Sequence, residues 1–446
     1  MSNLQLVVRW TDGINGDTVT LVDVLSVDIK RGKEAKHNTA DIILQNNIKD
    51  DPAYYQDGEI VFEAEDPIDI YVKYGGTAID TTSTDDLIFS GRVVEYKVDT
   101  SDSKTPLKLM LSDSSFVALN KLWVGQETDT PPNLIVNQLI PWVNDTIQDP
   151  RNHITATFGA SSVQNTPSVA GSYDDYTMTQ VFKPVYEIIS ELSQPNNTGD
   201  GDRAYKFHID KNNVFRWFYP EDSAQHYIVE GSIAANGSVP YKQPVTNATE
   251  TVNDTNPHRI TSLKLKKAVY DTTNFIIYKA GEDLNNVQIL DFAFDPTSGA
   301  PITKDSFRNW EDIARTLKKG EEAVGNITLD KSDEYTINNP TGTTYWGESY
   351  SGTSDYNEKF INYAKKLADG RCQAEFEKRG NPRFKGTIEL KGENNFDVNE
   401  AFILQARSHG IQKGFFRINS VKHNIRKSGW FTTLDVEEEI QKEFTT

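Results

Sequence analysis

The stretch from Arg383 to Glu439 constrains the fold most, because it offers no helical period. It runs through Phe384-Lys-Gly-Thr-Ile-Glu-Leu-Lys-Gly, Ala401-Phe-Ile-Leu-Gln, Phe415-Phe-Arg-Ile-Asn-Ser-Val-Lys-His-Asn-Ile and Trp430-Phe-Thr-Thr-Leu-Asp-Val-Glu-Glu-Glu. β-Branched and aromatic residues alternate with polar ones in each run, and glycine or asparagine clusters separate the runs. That is the pattern of successive antiparallel strands with one buried face. Four such strands in a row predict a small sheet or barrel.

The same four-part order stands near the N-terminus: Ala40-Asp-Ile-Ile-Leu-Gln-Asn-Asn, Pro67-Ile-Asp-Ile-Tyr-Val-Lys-Tyr, Ile88-Phe-Ser-Gly-Arg-Val-Val-Glu-Tyr-Lys-Val and Leu107-Lys-Leu-Met-Leu-Ser-Asp. Matching alternate positions are Phe89, Val94, Tyr96 and Val98 against Phe416, Val421, His423 and Ile425, then Leu109 and Leu111 against Leu434 and Val436. An internal duplication would let three chains build a ring of six parts.

A chain of 446 residues exceeds one compact core and implies two to four domains. Strands are expected at 4–10, 18–30, 39–45, 59–74, 86–98 and 106–113, the longer ones reaching roughly 40 Å. Short helices are expected at Ser114–Leu122 and between Pro132 and Pro141, the second bounded by its prolines. A further helix spans 181–193, with Phe182, Val185, Ile189 and Leu192 on one face and Pro184 in its first turn. Lys211-Asn-Asn should turn a hairpin between Tyr205–Asp210 and Val214–Tyr219, and 230–257 reads as a connector. Strands resume at 260–265 and 274–278. Residues 281–354 form an insertion with a helix near Trp310 and a long polar loop, and 355–380 reads as a capped helix that delivers the chain into the last barrel.

Charge works by exclusion. With 65 acidic and 46 basic side chains the formal charge is −19, which opposes non-specific binding to nucleic acid. The N-terminus lacks a signal-peptide pattern, and no apolar run is long enough to span a bilayer. The single cysteine, Cys372, cannot form an intrachain disulfide, and the seven histidines show no metal-ligand spacing. Asp200-Gly-Asp202 lacks the rest of a calcium loop. Glu348, Asp355 and Glu358, near Tyr345 and Trp346, are the best carboxylates for glycoside cleavage, which needs two acids flanking a sugar. Among 65 acids such a cluster arises by chance, so the expectation is a protein with no catalytic, metal or cofactor residues.

Three groups of residues carry a resemblance: Ile88-Phe-Ser-Gly-Arg-Val with Leu107-Lys-Leu-Met-Leu-Ser-Asp; Lys183-Pro-Val-Tyr-Glu-Ile-Ile-Ser-Glu-Leu with Tyr205-Lys-Phe-His-Ile-Asp; and Val421-Lys-His-Asn-Ile-Arg-Lys-Ser-Gly-Trp-Phe-Thr-Thr-Leu-Asp-Val. In order and spacing the chain resembles the baseplate hub, or tail hub, family of phage tails. That family includes the late control protein D type and is similar to the hub portion of type VI secretion spike proteins. The 281–354 insertion has no counterpart, and Val398-Asn-Glu stands where the family tends to have a Gly-Asp turn.

The resemblance implies an α+β, mainly β protein with two tube-like antiparallel β-barrels and an inserted α/β region. Its division would be 1–122, first barrel; 123–257, mixed α/β insert; 258–280 with 355–446, second barrel; and 281–354, insertion. It further implies a homotrimer with pseudo-sixfold symmetry that adapts a hexameric tail tube to a trimeric spike. Expected partners are a tail tube or distal tail protein on one side and a spike or central fibre protein on the other. Genome DNA would pass through the ring at ejection without specific binding, and no membrane would be involved. Such a protein is made in the host cytoplasm and ends in the virion baseplate. Phe89, Gly91, Val94, Tyr96, Phe416, Ile418, Val421 and His423 are the expected ring-lining or ring-joining positions. The rival readings are a secreted carbohydrate-binding or glycan-cleaving β-protein and a distal-tail or spike-side adapter.

Overall fold

The computed structural model describes residues 4–13, 16–33, 37–45, 55–56, 59–98, 106–130, 132–147, 153–156, 176–193, 206–218, 225–232, 238–242, 249–253, 257–267, 275–284, 287–294, 344–345, 348–349 and 383–439. The fold is mainly β. The N-terminal strands are β1 (Leu4–Thr11), β2 (Thr18–Thr20), β3 (Val24–Gly32), β4 (Thr39–Leu44), β5 (Pro67–Tyr74), β6 (Leu87–Val98) and β7 (Leu107–Ser112). After the middle of the chain come β12 (His226–Val229), β13 (His258–Lys267), β14 (Phe384–Lys391), β15 (Ala401–Ala406), β16 (Ile411–Arg426) and β17 (Gly429–Glu438). Together they form one sheet of 13 strands in the order β2-β1-β5-β6-β7-β4-β3-β16-β15-β12-β13-β14-β17, with β17 returning to β16.

That order holds one arrangement twice. The N-terminal half reads β1-β5-β6-β7-β4-β3, and the C-terminal half reads β12-β15-β16-β17-β14-β13, strand for strand in the same chain order. In the C-terminal half β12 also pairs with β13, which closes a six-stranded barrel. The closure consists of two residue pairs, Ile228 with His258 and Val229 with Arg259. β12 runs parallel to β15, whereas β1 runs antiparallel to β5. The N-terminal half is not closed the same way: the outer edge of β3 pairs with β16 of the other half.

Alternation sets each core. Val8, Val27, Ile29, Ile42, Ile68, Ile70, Leu109 and Leu111 fill the N-terminal interior, and Ile388, Phe402, Leu404, Phe416, Ile418, Val421, Leu434 and Val436 the C-terminal one. A third core belongs to the middle of the chain. It packs α2 (Pro132–Thr146) and α3 (Val185–Leu192) against β8 (Leu122–Thr130), which pairs with β9 (Tyr176–Pro184), and against the hairpin of β10 (Lys206–Ile209) and β11 (Val214–Phe218).

Local chemistry redraws several expected boundaries. The strand expected at 18–30 breaks at Asp23, whose φ is 57°. Helix formation near Ser114 is confined to α1 (Ser115–Ala118). Pro141 does not stop α2, which continues because Val143 and Ile147 are buried beyond it. The helix expected from 181 starts only at Val185; before it the backbone is strand, Phe182 has φ 54° and its side chain is 69% exposed. Within the expected connector, Ser238–Lys242 pairs with Thr249–Asn253, and within the expected insertion Val287–Phe294 pairs with Phe275–Leu284. His226–Val229 is a strand of the C-terminal barrel. The 211–213 turn forms the expected hairpin, with Asn213 at φ 60°. The expected helices near Trp310 and at 355–380, Cys372, Asp200–Asp202, Asp355 and Glu358 lie outside the described residues, as does the side chain of Glu348.

Candidate assembly site at the junction of the repeats

Pairing registers fix which residues of the two halves correspond. Val93 pairs with Leu111 and Glu95 with Met110 across a bulge; Ile418 pairs with Val436 and Ser420 with Asp435 across a bulge at the same place. Tyr96 therefore corresponds to Val421, Val98 to His423, and Gly91 to Phe416. Leu109 and Leu111 match Leu434 and Val436 as expected, but the β6–β16 register differs by two residues from the sequence alignment. A shift of two keeps every side chain on its face, so alternation alone cannot detect it. The glycines supply the reason for the slip. A Cβ at Gly91 would lie 2.5 Å from the Phe89 ring, and one at Gly414 would lie 2.8 Å from the Phe416 ring. Each half has a phenylalanine covering a glycine two residues away, in opposite order along the strand.

A second correspondence reaches individual hydrogen bonds. Arg92 and Arg417 occupy equivalent positions and are 7% and 6% exposed. Arg92 Nη1 donates to the Glu65 carbonyl at 2.9 Å, and Arg417 Nη1 to the Asn399 carbonyl at 2.6 Å. Glu65 and Asn399 both have positive φ, 72° and 65°. The Glu65 and Asn399 amides donate to Val93 and Ile418, at 2.8 and 2.9 Å. The carboxylates of Asp66 and Glu400 accept from the amides of Glu63 and Asp397, three residues back, at 2.9 and 2.6 Å. Asn399 thus takes the left-handed conformation that a glycine would supply in a Gly-Asp turn.

The two halves meet where β3 lies along β16. Antiparallel pairing sets Arg31 opposite Val421, Lys30 opposite Lys422 and Ile29 opposite His423. The Asn424 amide donates to the Asp28 carboxylate across the seam. Ile425 and Trp430, from the end of the β16–β17 hairpin, belong to the N-terminal core. Trp430 stacks on Tyr74 with centroids 5.8 Å apart, its amide donates to the Tyr74 hydroxyl at 2.9 Å, and that hydroxyl donates to its carbonyl at 3.2 Å.

Beneath the seam, Arg31 is 1% exposed and donates to Asp397 Oδ1 at 3.0 Å and the Phe396 carbonyl at 3.1 Å. Its Nη2 stands 3.3 Å from His423 Nε2. At the other ring nitrogen, Trp430 Nε1 donates to His423 Nδ1 at 3.3 Å, and Thr432 Oγ1 stands 3.1 Å from it. Burial, then the charges of Arg31 and Lys211, hold His423 well below the ordinary imidazole range. The β10–β11 hairpin docks on the same junction: Asn38 Nδ2 donates to the Ile209 carbonyl at 3.0 Å, Asn213 Nδ2 to Ser90 at 3.3 Å and Asn399 Nδ2 to Phe207 at 3.4 Å. Burial lowers His208, against the opposing charge of Asp397, and also lowers Lys211. Burial pushes Asp113 up to about 6 although Ser115 and Asn38 donate to its carboxylate.

No family model and no curated protein matches the sequence. Solved structures do match. The 43 kDa tail protein of prophage MuSo2 from Shewanella oneidensis superposes with a TM-score of 0.54 at 10% identity, covering 97% of this chain and 98% of that one. A tail protein from Neisseria meningitidis MC58 also gives 0.54 at 10% identity, covering 98% of this chain and 97% of that one. The chain has the fold of these tail proteins.

Within this tail-protein fold the eight expected assembly positions separate into two environments. Phe89, Gly91, Phe416, Ile418, Val421 and His423 are buried in the chain's own interior. Val94 and Tyr96 are 46% and 45% exposed on the β6 strand. Sequence reading missed Arg31, Asp397, Tyr74 and Trp430 as junction residues. One signal was present: in Val27-Asp-Ile-Lys-Arg31 the arginine continues the inward-facing alternation of Val27 and Ile29. Gln405 is fully buried and its amide has no partner among the described residues, which nothing in the structure explains. No group of three or more metal-ligating side chains occurs among the described residues.

Proposed function

We propose that this chain is a structural tail hub protein, without catalysis of its own, located in the baseplate of a phage tail. Three copies form a ring of six barrel repeats. One face meets a hexameric tail tube or distal tail protein, and the other a trimeric spike or central fibre. The ring surrounds a channel that genome DNA crosses at ejection without specific binding, in keeping with the formal charge of −19. The proposed domains are 1–122 and 258–280 with 355–446 as the barrels, with His226–Val229 added to the second, 123–257 as the insert, and 281–354 as the insertion. Strands β6 and β16 are the proposed ring-lining or ring-joining elements.

The observation that carries this reading is the repetition of one six-stranded order, down to the arginine-bonded turns at Glu65 and Asn399. A chain holding two copies of one unit can place six units around three subunits, which is what joining sixfold to threefold symmetry requires. Negative-stain electron microscopy of the purified protein tests it. Rings with a central hole and threefold or pseudo-sixfold end-on views are expected; compact particles without a hole at micromolar concentration would overturn it.

A further inference from the structure

Resting on the hub reading, we propose which edges join the copies and in what register: the outer edge of Tyr96–Val98 on β6 of one copy pairs, antiparallel, with the outer edge of Leu265–Lys267 on β13 of the next.

The rule comes from the junction already inside the chain. β13 corresponds to β3, because both pair with the next strand through a bulge at the same place, between Val24 and Ser26 and between Ile260 and Ser262. Leu263, Leu265 and Lys267 thereby correspond to Val27, Ile29 and Arg31. Inside the chain, β3 covers Ser420–Arg426 of β16. The equivalent segment of β6 starts at Glu95, and among the described residues no strand pairs with its outer edge: β5 stops at Arg92 and β7 takes the other side. Among the described residues the outer edge of β13 is equally open past Arg259, where β12 ends its pairing. Each chain therefore carries one satisfied junction and the two unmatched halves of another.

Exposure follows the same rule. Val421 is 0% exposed and His423 1%, whereas their counterparts Tyr96 and Val98 are exposed and half-buried. Val27, Ile29 and Arg31 are 0%, 2% and 1% exposed, whereas Leu263 and Leu265 are half-buried and Lys267 is exposed. An open strand edge bearing Val94, Tyr96 and the neighbouring Met110, each at least 36% exposed, is a template for another strand. The occupant argued here is a second copy of this chain, because β13 carries the counterpart of the strand already seated on β16. Transferring the internal register sets Tyr96 opposite Lys267, Lys97 opposite Lys266 and Val98 opposite Leu265. The lysine pair repeats the opposition of Lys422 and Lys30 inside the chain. The contact is head to tail, which suits the proposed ring and is not the self-complementary contact of a twofold dimer.

Cysteine pairs test the register on the full chain in a Cys372→Ser background. Tyr96→Cys with Lys267→Cys places exposed positions face to face; Tyr96→Cys with Lys264→Cys is three residues out of register, roughly 10 Å along the strand. Mild oxidation followed by non-reducing electrophoresis should give a ladder ending at a covalent trimer for the first pair, at least tenfold above the second. Rings in the microscope with no cross-link, or with more at 96–264, would overturn the edge pairing and leave the hub reading standing. Monomers in mass photometry with no cross-link would overturn both.

Discussion

The two strand pairs that end the repeats, β6–β7 and β16–β17, are equivalent in fold and opposite in the sequence that joins their strands. β16–β17 carries Ile425 and Trp430 at its end and buries them in the other half of the same chain. The corresponding sequence between β6 and β7 is Asp99-Thr-Ser-Asp-Ser-Lys-Thr-Pro106, with no large apolar residue. One backbone unit thus serves two purposes. Where its neighbour is always present, on the same chain, the seam is apolar and aromatic and can be buried during folding. In the proposed ring, where that neighbour would be a separate molecule, the polar sequence leaves association to strand edges and a small apolar patch.

The largest effect that can break this comparison is at Arg31. Arg31→Ala takes the buried guanidinium from half-buried Asp397 and from the Phe396 carbonyl and should cost about 3 kcal/mol in urea unfolding. Its counterpart Lys267 is exposed, and Lys267→Ala should stay within about 0.5 kcal/mol in the monomer. Equal losses would mean that the two positions are not in different environments. Trp430→Ala removes the ring stacked on Tyr74 and should cost about 3 kcal/mol, read from the same transition.

The turns sharpen the comparison from the other side, since there the halves are alike. Arg92→Met and Arg417→Met should each cost about 1–3 kcal/mol, because each removes a buried donor from a carbonyl in the same turn, with Arg417 the larger since its Nε also donates to Glu439. A loss confined to one of them would show that only one turn matters to stability.

A smaller effect is linked to pH. His423 is held neutral in the folded chain, while in the unfolded chain it protonates in the ordinary imidazole range. The unfolded state therefore binds more protons there, so this contribution is complete above that range and is lost as pH falls through it. Asp113 has the opposite sign: with its folded value raised to about 6, its ionisation weakens the fold as pH rises toward that value. Chemical denaturation of His423→Gln from pH 8 to 5 should show a shallower acid loss than the parent. The smallest change is a gain. Glu65 is exposed at φ 72°, so Glu65→Gly should stabilise by about 0.5–1 kcal/mol in thermal unfolding.

Alternation in the sequence determined that both ends of the chain are β, that four strands recur in order, and which face of each is buried, because period two is a local property of side-chain placement. It also marked the 211–213 turn through its asparagines. Tertiary structure alone decided the rest. A two-residue register shift preserves the alternation, so only the bulges and the phenylalanine–glycine exchange place Gly91, and not Phe89, opposite Phe416 in the comparison. Strands at 226–229 and 258–267 join β15 and β14 across more than a hundred residues, a pairing that no local window contains. Arg31 became a junction residue only when β3 met β16 instead of closing its own barrel, for burial of a charge depends on which neighbour arrives and not on the residue itself.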